Sequence, residues 1–162
     1  MKLIPLTQGK FAKVDDEDYE YLVQFKWCAN KQAGNLWYAL THVSKAEKSI
    51  KDAGMHRIVN KTPKGMVCDH INHDTLDNQK HNLRSCTQLQ HANNRSKRRS
   101  RKTNSIYLGV TRSGKKWKAE TKYGKDRYYM GTFENEIDAA KAYDKKALEL
   151  KGEFANLNFK TC

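Results

Sequence analysis

Short alternating runs of apolar and polar residues dominate the first third of the chain, and they predict strands. Residues 2–6 and 10–14 read as two strands on either side of a turn at 7–9. Asp15 or Asp16 suits the start of a helix running to about Phe25, with Tyr19, Leu22 and Val23 on its apolar face. Residues 26–30 and 37–43 are again strand-like, with a turn at 32–35 between them. The polar stretch 45–54 reads as a loop. Residues 55–60 suit one short helical turn, stopped before Pro63.

The texture changes at Met66. Residues 66–71 form an apolar run interrupted by Asp69 and His70, 72–78 are rich in turn formers, and 82–87 can return as a second strand. Thr87 suits the cap of a helix over 88–95. The last third has its own pattern. Residues 107–112, 116–123 and 127–133 alternate like three antiparallel strands, with turns at Ser113–Gly114 and Gly124–Lys125. A helix over 134–151 follows, with Ile137, Ala140, Tyr143, Ala147 and Leu150 on one face and Gly152 as its stop. The fold class expected is α+β. The expected division is a β-rich unit over 1–54, a strand–turn–strand–helix unit over 55–95, a linker over 96–104, and a three-stranded sheet packed on one helix over 105–162.

Composition sharpens this picture. Only 38% of the 162 residues are hydrophobic and 30% are charged, which favours two or three small cores over one large one. The formal net charge is +13, so polyanions are the first partner to consider. The excess is local. From Arg95 to Arg127 there are thirteen Lys or Arg against two acids, a net of +11. The linker cations Arg98, Arg99 and Arg101 belong to that stretch and are expected to meet the polyanion early. No apolar run is long enough to span a bilayer, and 1–10 has no signal-peptide core, so a soluble, cytoplasmic protein is expected. The four cysteines form no Cys-x-x-Cys pair and read as free thiols, with Cys68 and Cys86 partly buried.

One constellation carries chemistry. Hydrolysis of a phosphodiester needs a divalent cation held by oxygen or imidazole ligands, and a base to activate water. Asp69 and His91 can supply the ligands and His70 the base, because imidazole titrates near neutrality. Neighbours on a regular strand point to opposite faces, so Asp69 and His70 can share one site only if the strand ends or bulges there. Each of these residues alone has an ordinary structural reading. Together, in a strand–turn–strand–helix frame, they point to a nuclease.

Residues 65–72 (Gly-Met-Val-Cys-Asp-His-Ile-Asn), with Leu76-Asp77-Asn78, Asn82-Leu83-Arg84 and Gln90-His91, resemble the HNH endonucleases of phage and mobile introns. The resemblance runs from about Met55 to Arg95. It implies a ββα-metal fold, His70 as general base, and Asn82 as the residue orienting the hairpin and His70. It also implies one divalent ion, Mg2+ with Mn2+ as the alternative, on Asp69 and His91, with Asn94 near enough to assist. His73 stands where relatives often carry Gly, so a slightly different turn is expected. His73 and His81 are expected to be exposed. His56 and Arg57 also recur in relatives, where packing or a backbone contact is their expected role. The implied function is a homing-type DNA endonuclease of a bacterial or phage-infected cell, acting as a monomer or weak dimer.

In the last third, Lys116, Lys118, Glu120 and Lys122 should share one sheet face, with Trp117 opposite as core. Tyr107-Leu108-Gly109-Val110, Trp117-Lys118-Ala119-Glu120, Met130-Gly131-Thr132-Phe133, 139–144 and Leu157-Asn158-Phe159 resemble the DNA-binding domain of plant ethylene-response factors, the APETALA-two type. That resemblance implies a sheet lying in the major groove of duplex DNA. It makes Arg112, Lys116, Lys118, Glu120, Lys122, Arg127 and Tyr129 candidate DNA contacts. Two other readings stay open: a non-catalytic DNA-binding regulator on a degenerate HNH scaffold, and an RNA-binding module.

Overall fold

The computed structural model describes residues 1–32, 35–41, 53–93 and 105–159. The fold is α+β, with small antiparallel sheets. The chain divides into two compact units, Met1–Thr87 and Gln88–Cys162.

In the first unit, β1 (Lys2–Pro5) and β2 (Phe11–Val14) pair antiparallel across a 3-10 turn at Thr7–Gly9. Helix α1 (Asp16–Leu22) follows at once. It buries Leu22 and leans Tyr19 on the core. Val23, expected on that apolar face, is 43% exposed, because the helix ends one residue earlier. Strands β3 (Trp27–Gln32), β4 (Leu36–Thr41) and β5 (Ala53–Gly54) form a three-stranded sheet. Then come α2 (Met55–Val59) and the hairpin of β6 (Val67–His70) with β7 (Leu83–Cys86). One core serves all of these. Ile4, Val14, Leu22, Trp27, Met55, Val59, Cys68 and Leu83 are buried in a single cluster. The segments expected as separate units over 1–54 and 55–95 thus share their apolar interior. The loop expected over 45–54 lies mostly outside the described residues.

The second unit opens with α3 (Gln88–Asn93). Strands β8 (Val110–Ser113), β9 (Lys116–Tyr123) and β10 (Asp126–Phe133) make an antiparallel sheet in the order β10-β9-β8. Helix α4 (Glu136–Lys151) packs on it and buries Ala139, Ala140, Tyr143 and Ala147. Asn135 Oδ1 accepts from the backbone N of Asp138 at 2.8 Å and caps α4. Ile137, expected on the apolar face, is 47% exposed, and Ala139 takes the inward position beside Val110 and Ala119. Small side chains let the helix approach the sheet closely. Gly109 shows the consequence: a Cβ there would stand 2.0 Å from the Tyr143 ring, and its φ is +68°.

Candidate functional site

The β6–β7 hairpin pairs Asp69 with Arg84 and His70 with Leu83, without a bulge. Adjacent residues of so regular a strand leave it on opposite sides. Asp69 is 4% exposed and its Oδ2 accepts from Arg84 Nε at 3.1 Å and Nη2 at 3.0 Å. His70, the last residue of β6, is 5% exposed and belongs to a different set of neighbours. The rings of Tyr38, His56 and His70 lie with centroids 5.3 to 6.0 Å apart. His70 Nε2 lies 3.4 Å from Asn78 Oδ1. Asn78 Nδ2 donates to Leu76 O at 3.2 Å, which orients the amide with its oxygen toward His70. An amide oxygen only accepts, so a proton on His70 Nε2 would point to Asn78 Oδ1.

Asn82 bonds within the loop between β6 and β7. Its Oδ1 accepts from the backbone N of Asn72 at 2.9 Å, and its Nδ2 donates to Asp77 O at 2.8 Å. It is 2% exposed and closes the loop between β6 and β7 from inside. The side chain that faces His70 is Asn78, a residue of the turn-forming run 72–78 of which no role was expected. His73 sits at φ 66°, the left-handed conformation that glycine adopts without strain, so this turn keeps a glycine-like backbone despite the side chain. His73 is half-buried and His81 exposed.

Burial pushes the His70 imidazole below its ordinary range, against the Asn78 contact and the charge of Asp69. Burial also lowers His56 to about 3, with the neighbouring His70 and Arg57 adding to the shift. His56 is therefore a neutral ring at working pH. Among the described residues its buried Nδ1 has no hydrogen-bond partner. Its fit is close, since a Cβ at Gly54 would stand 2.3 Å from His56 Cε1. Arg57 has the backbone contact expected of it, donating from Nη1 to Met66 O at 2.9 Å. Cys68 and Cys86 are buried thiols, as expected.

His91 lies on α3, half-buried and in the second compact unit, whereas Asp69, His70 and Asn82 lie in the first. A carboxylate oxygen and an imidazole suit a divalent ion chemically. The described residues nevertheless gather no group of three His, Cys, Asp or Glu able to hold one, and Arg84 already occupies Asp69 Oδ2. Asn94 and the linker cations Arg98, Arg99 and Arg101 lie outside the described residues.

On the C-terminal sheet the register sets out the faces. Lys118 pairs with Thr111 and Thr132, Glu120 with Tyr129, and Lys122 with Arg127, so these share one face with Lys116. Ala119 and Thr121, on the other face, are buried. Glu120 pairs with Lys118 at 3.0 Å and Arg127 at 3.3 Å, and Lys116 with Glu134 at 2.7 Å. Tyr129 stands 61% exposed among these charges. Arg112 is placed differently. It pairs with Trp117, its guanidinium lies 4.7 Å from the centre of that ring, and its Nε donates to Gly114 O at 2.9 Å. The Trp117 ring packs against the core, as expected.

Residues 60–93 match the family model of HNH endonucleases. That stretch holds the β6–β7 hairpin, Asp69, His70, Asn82 and His91. The chain is also 28% identical over 163 residues to an uncharacterized HNH endonuclease of Acanthamoeba polyphaga mimivirus, covering 96% of this chain and 79% of the relative. A second relative is the dehydration-responsive element-binding protein 1E of Oryza sativa subsp. indica, 42% identical over 57 residues. Those residues are 33% of this chain and 26% of that protein. No solved structure matches. Tyr38 and His56 fall outside the matched residues 60–93, and their part in the site emerges only from tertiary contact. A β-strand tyrosine and a lone His-Arg pair carried no local signal that they would meet His70.

Proposed function

We propose that the chain is a divalent-metal-dependent endonuclease of duplex DNA, of homing type. In this reading His70 is the general base, and the C-terminal sheet with the linker holds the substrate. The observation that carries it is the buried His70 imidazole at the end of β6, with its amide neighbour Asn78, inside the residues that match the HNH endonucleases. Nδ1 takes the proton from water, and Asn78 Oδ1 holds the proton on Nε2 as the ring becomes imidazolium. Asn82 keeps the loop closed, so that His70 and Asn78 stay aligned. Tyr38 and His56 wall the ring on its inner side and keep bulk water from it. When bound, a divalent ion on Asp69 and His91, magnesium with manganese as the alternative, would supply charge to offset that developing on the phosphate. No helix among the described residues is long and apolar enough to cross a membrane. The reading places the substrate in the cytoplasm, met by a monomer or weak dimer.

On the C-terminal sheet the reading assigns Lys116, Lys118, Lys122 and Arg127 to the phosphate backbone. Glu120 and Tyr129 face the base edges, in keeping with the partial likeness to the rice element-binding protein. Arg112 serves that face less directly, since it is held against Trp117.

The Asp69–Arg84 pair favours a second reading, a DNA-binding regulator whose nuclease scaffold no longer cuts. Plasmid nicking by the wild type and by His70→Ala, with magnesium or with EDTA, separates the two. Metal-dependent nicking that the variant loses, while duplex binding persists, supports the nuclease. Binding without cleavage under any divalent ion supports the regulator.

A further inference from the structure

Asp15 stands at the N-terminal edge of α1, where a carboxylate ordinarily caps the helix. It makes no side-chain cap bond. Its two oxygens go instead to the loop between β6 and β7. Oδ1 accepts from Gln79 Nε2 at 2.9 Å, and Oδ2 accepts from the backbone N of Lys80 at 2.8 Å. Hydrogen bonds to an ionised carboxylate are about twice as strong as neutral ones, so this is a firm polar tie between the N-terminal segment and that loop.

The neighbouring residues reinforce it. Lys13, in β2, donates its backbone N to Leu76 O and accepts at its own O from the backbone N of Asn78, both at 2.8 Å. That is one step of a parallel ladder, added to the outer side of the loop. Lys13 Nζ also reaches Asp74 at 3.0 Å. Lys80 returns the contact by pairing with Glu17 and, at 3.2 Å, with Asp18 on α1. Asn78 is therefore gripped at its own backbone N, and the two residues after it are gripped by Asp15. It is 1% exposed, and its amide oxygen is the atom that faces His70 Nε2. A shift of the 76–80 backbone by even a fraction of an ångström would be felt at the His70 ring.

We infer that Asp15 is a positioning residue for His70, acting through Gln79, Lys80 and Asn78, so that the N-terminal hairpin is part of the frame of the candidate active site. The inference rests on the reading of His70 as general base. It assigns to the first sixteen residues a role that residues 60–93 by themselves do not contain.

The test uses the full chain as wild type, Asp15→Ala and Asp15→Asn. Three quantities are read: nicking rate at saturating plasmid, plasmid concentration at half-maximal rate, and NMR signals of the Asn78 side-chain amide and His70 ring. Asp15→Ala is expected to lower the saturated rate by about 10- to 100-fold, with half-saturation moved by less than about twofold. The Asn78 and His70 signals shift with it. Asp15→Asn keeps one acceptor oxygen and falls between the two; should Asp15→Ala fail to fold, Asp15→Asn carries the comparison. An unchanged saturated rate overturns the inference, as does a fall in rate with the Asn78 and His70 signals unmoved. If the wild type cuts nothing under any divalent ion, the nuclease reading fails and the spectra decide the positioning role alone: shifted signals uphold it and unmoved ones overturn it.

Discussion

Arg84 donates from both Nε and Nη2 to a single oxygen of Asp69, at 3.1 and 3.0 Å, and the two side chains are only 13% and 5% exposed. The pair is cross-strand in the β6–β7 hairpin, so it ties the strands together where the candidate site sits. Removing the cation takes two charged donors away from a buried carboxylate. Arg84→Met is expected to destabilise the first unit by about 3 kcal/mol or more, with much of the loss recovered in the Asp69→Asn, Arg84→Met double variant. Urea unfolding of the four proteins of that cycle measures both. A double variant no more stable than Arg84→Met would mean that the charge pair is not what holds the hairpin.

The neutral, buried His56 makes stability pH-dependent in a defined direction. Its pKa is about 3 when folded, against 6.5 ordinarily. The unfolded chain takes up a proton below pH 6.5 that the folded chain refuses until about pH 3. The stabilisation is therefore complete above pH 6.5 and is lost as the pH falls through that window. At roughly 1.4 kcal/mol per unit, His56 accounts for a loss of about 2 kcal/mol between pH 7 and pH 5. Unfolding midpoints of the wild type should fall over that range more steeply than those of His56→Phe, which keeps a ring without the titrating group. Parallel curves for the two proteins would reject this account.

Gly109 is the corresponding sensitive point of the second unit. Its φ is positive, and a Cβ there would stand 2.0 Å from the Tyr143 ring and 2.6 Å from Glu120 O, which leaves no room for a methyl group. Gly109→Ala is expected to cost about 3 kcal/mol, from overpacking and backbone strain combined. Since Glu120 O is main chain in β9, the sheet itself would have to move. Thermal melting of the variant, compared with Gly114→Ala at an open turn, reads the difference.

The two faces of the C-terminal sheet should separate in binding. Lys122→Ala lies on the proposed contact face and is expected to weaken duplex binding evenly across sequences, reducing the salt slope by about 1. Arg112→Gln, whose guanidinium is held by Trp117, should leave that slope unchanged and lower the melting temperature instead. Fluorescence anisotropy over a series of salt concentrations distinguishes them. Equal slopes for the two variants would overturn this assignment of the two residues.

Strand and helix positions were largely legible from local pattern. β9 runs over the predicted 116–123, and α1, α2 and α4 lie within a few residues of their expected places. The misplacements lie on two helices. Val23 and Ile137 have the side chains of core residues, yet a helix about three residues shorter than expected and a close-packed row of alanines put them in solvent. Apolar periodicity reports which face of a helix can be buried. It does not report how near the partner surface comes.

The same boundary runs through the candidate site. Asp69, His70 and His91 could be singled out in sequence as candidates because a metal-assisted hydrolytic site would draw on few residue types, and Asn82 through the resemblance to the HNH endonucleases. That resemblance also implied Asn82 as the residue orienting the hairpin. Tyr38 beside His70, Asp15 on the 79–80 turn, and Arg84 on Asp69 were decided only in three dimensions. Those contacts join residues between fifteen and sixty-five positions apart. Their geometry depends on how the hairpins and α1 meet around one shared core, and no local pattern encodes that. The sequence by itself thus determined which chemistry is available and roughly which elements carry it. Tertiary structure decided which side chains hold those groups in place, because burial, not chain proximity, sets their neighbours.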